Sequence, residues 1–349
     1  MDAAVDVIST LITQFQQPTL AFLIAGMMLA AMGSKFEIPE PVYKFIVILL
    51  LLKVGMGAGT SVRNVQFVEL FVPAVGAVTV GIGIVFLGRW SLLRWRGISE
   101  VDGLATVGLF GAVSASTLAA SMAILDDGGI VYEGFIGALY PFMDIAALIT
   151  AILLAKVSAA RRALVATDGT VAMGGGTDRN NDVTRDLLKS IFVDTLRSPA
   201  ISALLAGLAL GLLARPETVY DSFYEPLFRG LLSILMLIMG MEAWLRFAEL
   251  RKVAHAYILY GLTAPIVHGL LGFGAGMIAH EFTGFSAGGV VLMAVMASSS
   301  SDISGPPTMR AALPEANPSA YVGTSTGIGT PIAILSIPFY IALAQAFID

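Results

Sequence analysis

The chain has 349 residues, of which 56% are hydrophobic and only 13% are charged, and its formal net charge is −5. A soluble domain carries about 25% charged residues, so this composition excludes an ordinary soluble protein, whose core would still need a polar shell. The chain has no cysteines, which excludes disulfides and cysteine-based metal or catalytic sites. The apolar residues form long continuous runs, which indicates an all-α polytopic membrane protein rather than a β-barrel.

Ten segments of the chain are apolar enough and long enough to be predicted as membrane-spanning helices, each of which needs about 20 residues. In chain order they are 16–34, 41–58, 68–89, 102–125, 130–156, 195–214, 223–243, 253–279, 286–313 and 318–346. The stretch 157–194 is predicted to be a linker between the halves 1–156 and 195–349. Its glycine-rich, polar part is expected to be disordered up to about Asp182, and a short amphipathic helix is expected over 183–193.

Basic residues in short loops predict which side of the membrane each loop faces, because they favour the cytoplasm. They follow the third, fifth and seventh segments, and they are Arg89, Arg94, Arg96, Lys156, Arg161, Arg162, Arg246, Arg251 and Lys252. The loops on the other side hold mainly Arg63 and Arg215. We therefore expect both termini outside and the linker in the cytoplasm.

The two halves of the chain resemble each other at matching positions, with offsets of 181, 185 and 187 residues. The matches are Pro18/Pro199, Gly26/Gly207, Glu40/Glu225, Gly55/Gly240, Ser114/Ser301 and Met122/Met309. Each half has five segments, an odd number, so the second copy must enter the membrane from the opposite side. The sequence thus predicts two inverted five-helix repeats, which are typical of secondary transporters that bind substrate near the midplane.

Segments four and nine occupy matching places, and both contain residues that interrupt helices. Segment four reads GLFGAVSAST over 108–117, and segment nine reads SSSSDISGPPT over 298–308. Ser304 can cap a new helix whose first turn accepts the following prolines. Two broken helices would offer N–H groups to an anion and carbonyls to Na⁺. In the alternative interpretation, the serines and glycines only allow close helix packing.

Two carboxylates within predicted spans are the candidate sodium ligands, because intramembrane carboxylates are costly and usually mark an ion site. Asp302 lies inside the second interruption, and Asp144 follows Pro141 near the middle of segment five. Alternatively, Asp302 caps the next half-helix and Asp144 makes only an interhelical hydrogen bond. Segment ten carries four further hydroxyls, which either reach the same candidate ion site or serve helix packing. They belong to Thr324, Ser325, Thr326 and Thr330.

Three longer blocks carry a resemblance to a known family: 132–144 with YPFMD at its end, FYEPLFRGLLSILM over 223–236, and SSSDISGPPT over 299–308. In these blocks the chain resembles the cyanobacterial sodium-dependent bicarbonate symporters. The resemblance implies Na⁺-coupled bicarbonate uptake across the plasma (inner) membrane within a carbon-concentrating mechanism, with Na⁺ as the coupling ion and no other cofactor. It also implies a homotrimer, and a PII-like trimeric regulator on the cytoplasmic face. A gate domain (segments 1–2 and 6–7) and a core domain (segments 3–5 and 8–10) would move in an elevator-like manner.

The resemblance also implies which residues bind the two substrates, and it implies no catalytic residues. The bicarbonate residues would be Gly111, Ala112, Val113, Ser114, Ser116, Thr117, Ser300, Ser301, Ile303, Ser304 and Gly305. The sodium residues would be Asp302, Ser299, Ser300, Ser114 and Thr117, to which Asp144 is added as the second carboxylate within a predicted span. The alternatives are a symporter of another small organic anion, a membrane enzyme, which would need a base near the serines, and a non-transporting sensor.

Overall fold

A computed structural model describes residues 18–36, 38–63, 65–166, 189, 193, 196–250 and 255–348. The predicted disorder of the linker and most of the predicted amphipathic helix over 183–193 lie outside the described residues. Within the described residues every regular element is a helix, and no strand is present. The prediction of an all-helical chain is confirmed for this part of the protein.

The α-helices longer than one turn, named here in chain order, are α1 Pro18–Ala31, α2 Glu40–Val62, α3 Phe67–Ser91, α4 Glu100–Gly111, α5 Ala115–Asp127, α6 Tyr140–Ala166, α7 Pro199–Leu213, α8 Glu225–Leu250, α9 His255–Thr283, α10 Ala287–Ser298, α11 Gly305–Ala312, α12 Pro318–Thr324, α13 Thr330–Leu335 and α14 Ile337–Phe347. Short 3₁₀ helices span Leu92–Arg94 and Gly134–Leu139, and a single α-helical turn spans Glu217–Val219. Two π-helical turns span Tyr220–Tyr224 and Ser325–Gly329.

Seven helical stretches are long and apolar enough to cross a membrane: Glu40–Val62, Phe67–Arg94, Glu100–Asp127, Gly134–Ala159, Glu217–Leu245, His255–Thr283 and Pro318–Phe347. Three shorter apolar helices, Pro18–Ala31, Pro199–Leu213 and Ala287–Ser298, lie at the first, sixth and ninth predicted segments. Seven of the ten predicted spans therefore have the required length within the described residues.

Five of the helix starts follow from local sequence, because a polar side chain precedes the first turn and caps a free N–H group. Ser99 accepts from the third residue after it at the start of α4, and Ser114, Ser198 and Ser286 do the same for α5, α7 and α10. Asn317 caps α12, whose first residue is proline. These caps fix where the elements begin and, for α5, where one interruption ends.

Glycines set the closest helix packing, between α2 and α7 and between α1 and α8. A Cβ added to Gly207 would lie 2.5 Å from the carbonyl oxygen of Leu52, and a Cβ on Gly55 would lie 3.1 Å from the Cα of Gly207. Gly26 and Gly240 bring α1 and α8 together in the same backbone-to-backbone manner. Gly55 is therefore a glycine of direct helix–helix contact.

The remaining helices form a second group that surrounds both interrupted segments. Helices α3, α4 and α6 pack on one another, and α9 packs along α3 and α10. Every residue in the ranges 103–125 and 288–301 is buried. Backbone that leaves the helical path is tolerated at membrane depth only where protein or a water-filled cavity covers it, and this group of helices supplies that cover.

Candidate substrate and ion site

The first break lies between α4 and α5, and its hydrogen bonds replace those of a continuous helix. In an uninterrupted helix the N–H of Val113 would donate to the carbonyl of Leu109, four residues earlier. Instead it donates to Oδ1 of Asp144 at 3.1 Å, and the Leu109 carbonyl accepts the N–H of Ser301 at 2.8 Å. One helical bond is thus exchanged for two bonds to other segments.

Ser114 connects the first break both to the following helix and to the second break. Its N–H donates to Oγ of Ser299 at 2.9 Å, while its own hydroxyl oxygen accepts the N–H and the hydroxyl of Thr117 at 3.1 and 2.9 Å. The hydroxyls of Ser114 and Ser116 are 2.9 Å apart. Four of the predicted site residues therefore meet at the start of α5.

The second break lies between α10 and α11, and its cap differs from the prediction. The hydroxyl oxygen of Ser301, not of Ser304, accepts the N–H of Gly305 at 2.9 Å. Ser304 has helical backbone angles (φ −80°, ψ −40°) and makes no capping bond, because a capping residue needs extended backbone. Its hydroxyl donates to Oδ2 of Asp144 at 3.1 Å and lies 3.3 Å from the Tyr140 hydroxyl. The predicted cap at Ser304 is wrong.

Asp302 lies between the two breaks, and its two carboxylate oxygens differ. Oδ2 accepts the hydroxyl of Ser116 at the start of α5. Oδ1 is buried and has no hydrogen-bond partner among the described residues. A buried carboxylate oxygen without a donor is costly, and a bound cation would offset that cost. Asp302 does not cap α11, as the alternative interpretation expected, because the hydroxyl of Ser301 accepts the N–H of Gly305.

Ser300 bonds to the tenth segment rather than to the start of α5. Its hydroxyl donates to the carbonyl of Ser325 at 3.0 Å and lies 3.1 Å from the hydroxyl of Thr330. Ser325 begins the π-helical turn, which places its carbonyl beside the second break. Thr324 bonds only to its own helix, and the buried Thr326 hydroxyl has no partner among the described residues.

The non-hydroxyl candidates of the first break contribute packing. Gly111, Ala112 and Val113 are fully buried. A Cβ on Gly111 would lie 2.8 Å from the Cβ of Ala147 in α6. Gly111 thus allows close packing of α4 on α6, as the alternative interpretation of segment four expected. In the second break, Ile303 is half-buried and Gly305 is buried against Ser301.

One family model covers both breaks and both carboxylates. The model of the Na⁺-dependent bicarbonate transporter superfamily matches residues 18–345. The chain belongs to this superfamily. The resemblance seen in the sequence is thereby confirmed, and this bicarbonate transporter homologue is a multi-pass membrane protein. No curated protein sequence matches the chain.

One ion pair of this bicarbonate transporter homologue was not predicted from the sequence, and it joins a buried lysine to an exposed glutamate. Lys53 of α2 is only 6% exposed, and its Nζ lies 3.0 Å from Oε2 of Glu225. The same Nζ lies 4.0 Å from the ring centroid of Phe228 and 5.6 Å from that of Tyr220. A lysine inside the apolar run ILLLLKVGM is itself a signal for a functional or paired residue.

A second ion pair of the bicarbonate transporter homologue joins the two groups of helices. Arg229 of α8 pairs with Asp127 at the end of α5, and the hydroxyl of Tyr132 donates to Oδ1 of Asp126 at 2.9 Å. Burial, together with the Asp126 carboxylate, raises the pKa of Tyr132, so this hydroxyl stays a donor. The end of α5 is therefore tied by charge to α8.

Proposed function

We propose that this protein is a Na⁺:HCO₃⁻ symporter whose sodium site is centred on Asp302. The observation that carries the proposal is the buried Oδ1 of Asp302, which accepts no hydrogen bond among the described residues. Sodium is a hard cation that prefers carboxylate, hydroxyl and carbonyl oxygens. The hydroxyl of Ser116, already bonded to Asp302, and those of Ser114, Thr117 and Ser299 beside it supply such oxygens.

Bicarbonate would bind beside the sodium ion at the start of α5. The amides of Ala115 and Ser116 precede Leu118, whose N–H makes the first helical hydrogen bond of α5, to the Ser114 carbonyl, so they have no acceptor inside the helix. Together with the partial positive charge of the helix end, they suit a small anion. At this buried position opposite charges attract more strongly than in water. Each ion would therefore raise the affinity for the other, which is the physical basis of coupling.

Transport would require the breaks to move relative to the glycine-packed helices. In this proposal α1, α2, α7 and α8 form the gate domain, and the other helices form the core domain, which moves in an elevator-like manner. The ten segments would form two inverted repeats. In support, Gly55 contacts α7 while Gly240 contacts α1, and the two glycines are matched positions of the repeat.

The deciding experiment is uptake of ¹⁴C-bicarbonate into proteoliposomes with and without an inward Na⁺ gradient, at alkaline pH to suppress free CO₂. We expect uptake only with the Na⁺ gradient. An equal K⁺ gradient controls for salt and osmotic effects. Uptake that does not depend on Na⁺ would contradict symport. No bicarbonate uptake by folded protein would favour another small anion or a sensor.

Relative movement of the two domains can be tested at the ion pair between Asp127 and Arg229. Because the chain has no cysteines, cysteines introduced at these two positions can be joined by a short bis-methanethiosulfonate reagent, which forms reducible disulfides, without background labelling. We expect the cross-link to stop uptake and its reduction to restore uptake. Cysteines at Glu40 and Lys44, an exposed pair within one helix, are the matched control. Unchanged uptake by fully cross-linked protein would contradict movement at this boundary.

The family resemblance supports further proposals about the biological setting. We expect a homotrimer in the plasma (inner) membrane, with both termini outside, taking part in a carbon-concentrating mechanism. A PII-like trimeric regulator would bind the cytoplasmic face. These expectations are tested by the mass of the purified protein in detergent and by binding of such a regulator to it.

A further inference from the structure

Asp144 lies one turn inside α6, and its carboxylate contacts both breaks at once. Oδ1 accepts the N–H of Val113 from the first break, and Oδ2 accepts the hydroxyl of Ser304 from the second, each at 3.1 Å. The side chain is fully buried. Each of its oxygens therefore has a donor, whereas Oδ1 of Asp302 has none among the described residues.

The bond between Asp144 and Val113 maintains the first break. Without that acceptor, the N–H of Val113 would either stay unpaired inside the protein or return to the carbonyl of Leu109. An unpaired buried amide is costly. A return to Leu109 would displace the N–H of Ser301, which now donates to that carbonyl at 2.8 Å. Either result disturbs the hydrogen bonds between the two breaks.

The bond between Asp144 and Ser304 fixes the second break in the same way. The Ser304 hydroxyl lies 2.9 Å from that of Ser301, and Ser301 in turn caps Gly305. Through Ser304, Asp144 thus orients the hydroxyl that begins α11. A single side chain on a continuous helix sets the geometry of both interrupted ones.

We infer that Asp144 is a positioning residue that holds the two helix breaks in register, and that Asp302 alone supplies the carboxylate ligand to sodium. This inference deepens the proposed function and rests on it for the identity of the bound ions. It differs from the sequence prediction, which assigns both carboxylates to sodium. The two roles require different properties of the side chain, namely shape at Asp144 and charge at Asp302.

Conservative substitutions separate the two roles. Asp144→Asn keeps the shape and loses the charge, because its carbonyl can accept from Val113 and its amide can donate to Ser304. Asp144→Glu keeps the charge but adds a methylene to a fully buried site, which overpacks it. We expect Asp144→Asn to lower uptake by less than about tenfold and Asp144→Glu to lower it by more. At the partly exposed Asp302 we expect the opposite order, so that Asp302→Asn lowers uptake more than Asp302→Glu does.

Sodium-dependent uptake and amide hydrogen exchange together test the inference. In Asp144→Ala, which adds no volume, we expect faster exchange in the peptides that cover 108–118 and 296–306, while Asp144→Asn stays near wild type. The positioning role is overturned if Asp144→Glu transports better than Asp144→Asn, or if Asp144→Ala leaves both peptides unchanged. Absence of Na⁺-dependent uptake by the wild-type protein would refute the proposed function, while the exchange result would still test the role of Asp144.

Discussion

Replacing Asp302 with alanine should abolish Na⁺-dependent bicarbonate uptake. The substitution removes the buried oxygen without a hydrogen-bond donor and also the acceptor of the Ser116 hydroxyl. We expect the affinity for Na⁺ to fall by at least about 100-fold, which corresponds to about 2.8 kcal/mol. The measurement is initial uptake into proteoliposomes over a range of external Na⁺ concentrations, with bicarbonate held constant.

The matched control is a carboxylate in the same helical group that does not contact the breaks. Asp102 lies in the first turn of α4, and its Oδ1 accepts the N–H of Asn317 at 2.7 Å. Asp102→Asn preserves that acceptor and should transport like the wild type, whereas Asp302→Asn should not. If Asp302→Ala showed the wild-type half-saturation for Na⁺, the sodium site would have to lie elsewhere.

Gly207→Ala should destabilise the protein, because the added methyl group meets the backbone of α2. The added Cβ would lie 2.5 Å from the Leu52 carbonyl oxygen and 3.0 Å from the amide nitrogen of Met56. Both atoms belong to the backbone, so the two helices must separate, at about 1–3 kcal/mol for overpacking. Thermal unfolding of the purified protein in detergent measures the change.

Gly230→Ala is the control for Gly207→Ala, because a Cβ there meets nothing within 4 Å. Both substitutions remove the backbone freedom of a helical glycine, which alone favours alanine by roughly 0.5–1 kcal/mol. The difference between the two melting temperatures therefore reports the packing. Equal melting temperatures would show that α2 and α7 are not in backbone contact in the folded protein.

The two breaks could be predicted from sequence because their signals are local. Ser-Gly-Pro-Pro at 304–307 requires a helix start, and Ser114 is a capping residue placed before a helical run. The exact cap could not be predicted, since Ser301 and Ser304 are both serines near the same turn. Only the backbone angles of Ser304 decide between them, and those depend on contacts with α6.

Span lengths were harder to predict, because apolar residues can continue beyond the end of a helix. Segment one was predicted to end at residue 34, but α1 ends at Ala31 and is followed by Gly33 with φ +73°. Only glycine adopts this conformation easily, and it ends helices. The partners of Asp144 and Lys53 could not be predicted at all, since each is contacted by residues distant in the chain.

The glycine contacts of α1 and α2 with α8 and α7 constrain the order in which the protein can assemble during synthesis. Gly55 of α2 meets Gly207 of α7, and Gly26 of α1 meets α8, so α1 and α2 each have their closest partner in the late half of the chain. The two helix breaks also depend on each other, since the carbonyl of Leu109 in the first half accepts the N–H of Ser301 in the second half. A nascent chain that ends before α7 thus exposes glycine stripes to lipid or to the insertion machinery. The proposed ion site, which includes Asp302 of the second half, can form only after that half has been synthesised and inserted.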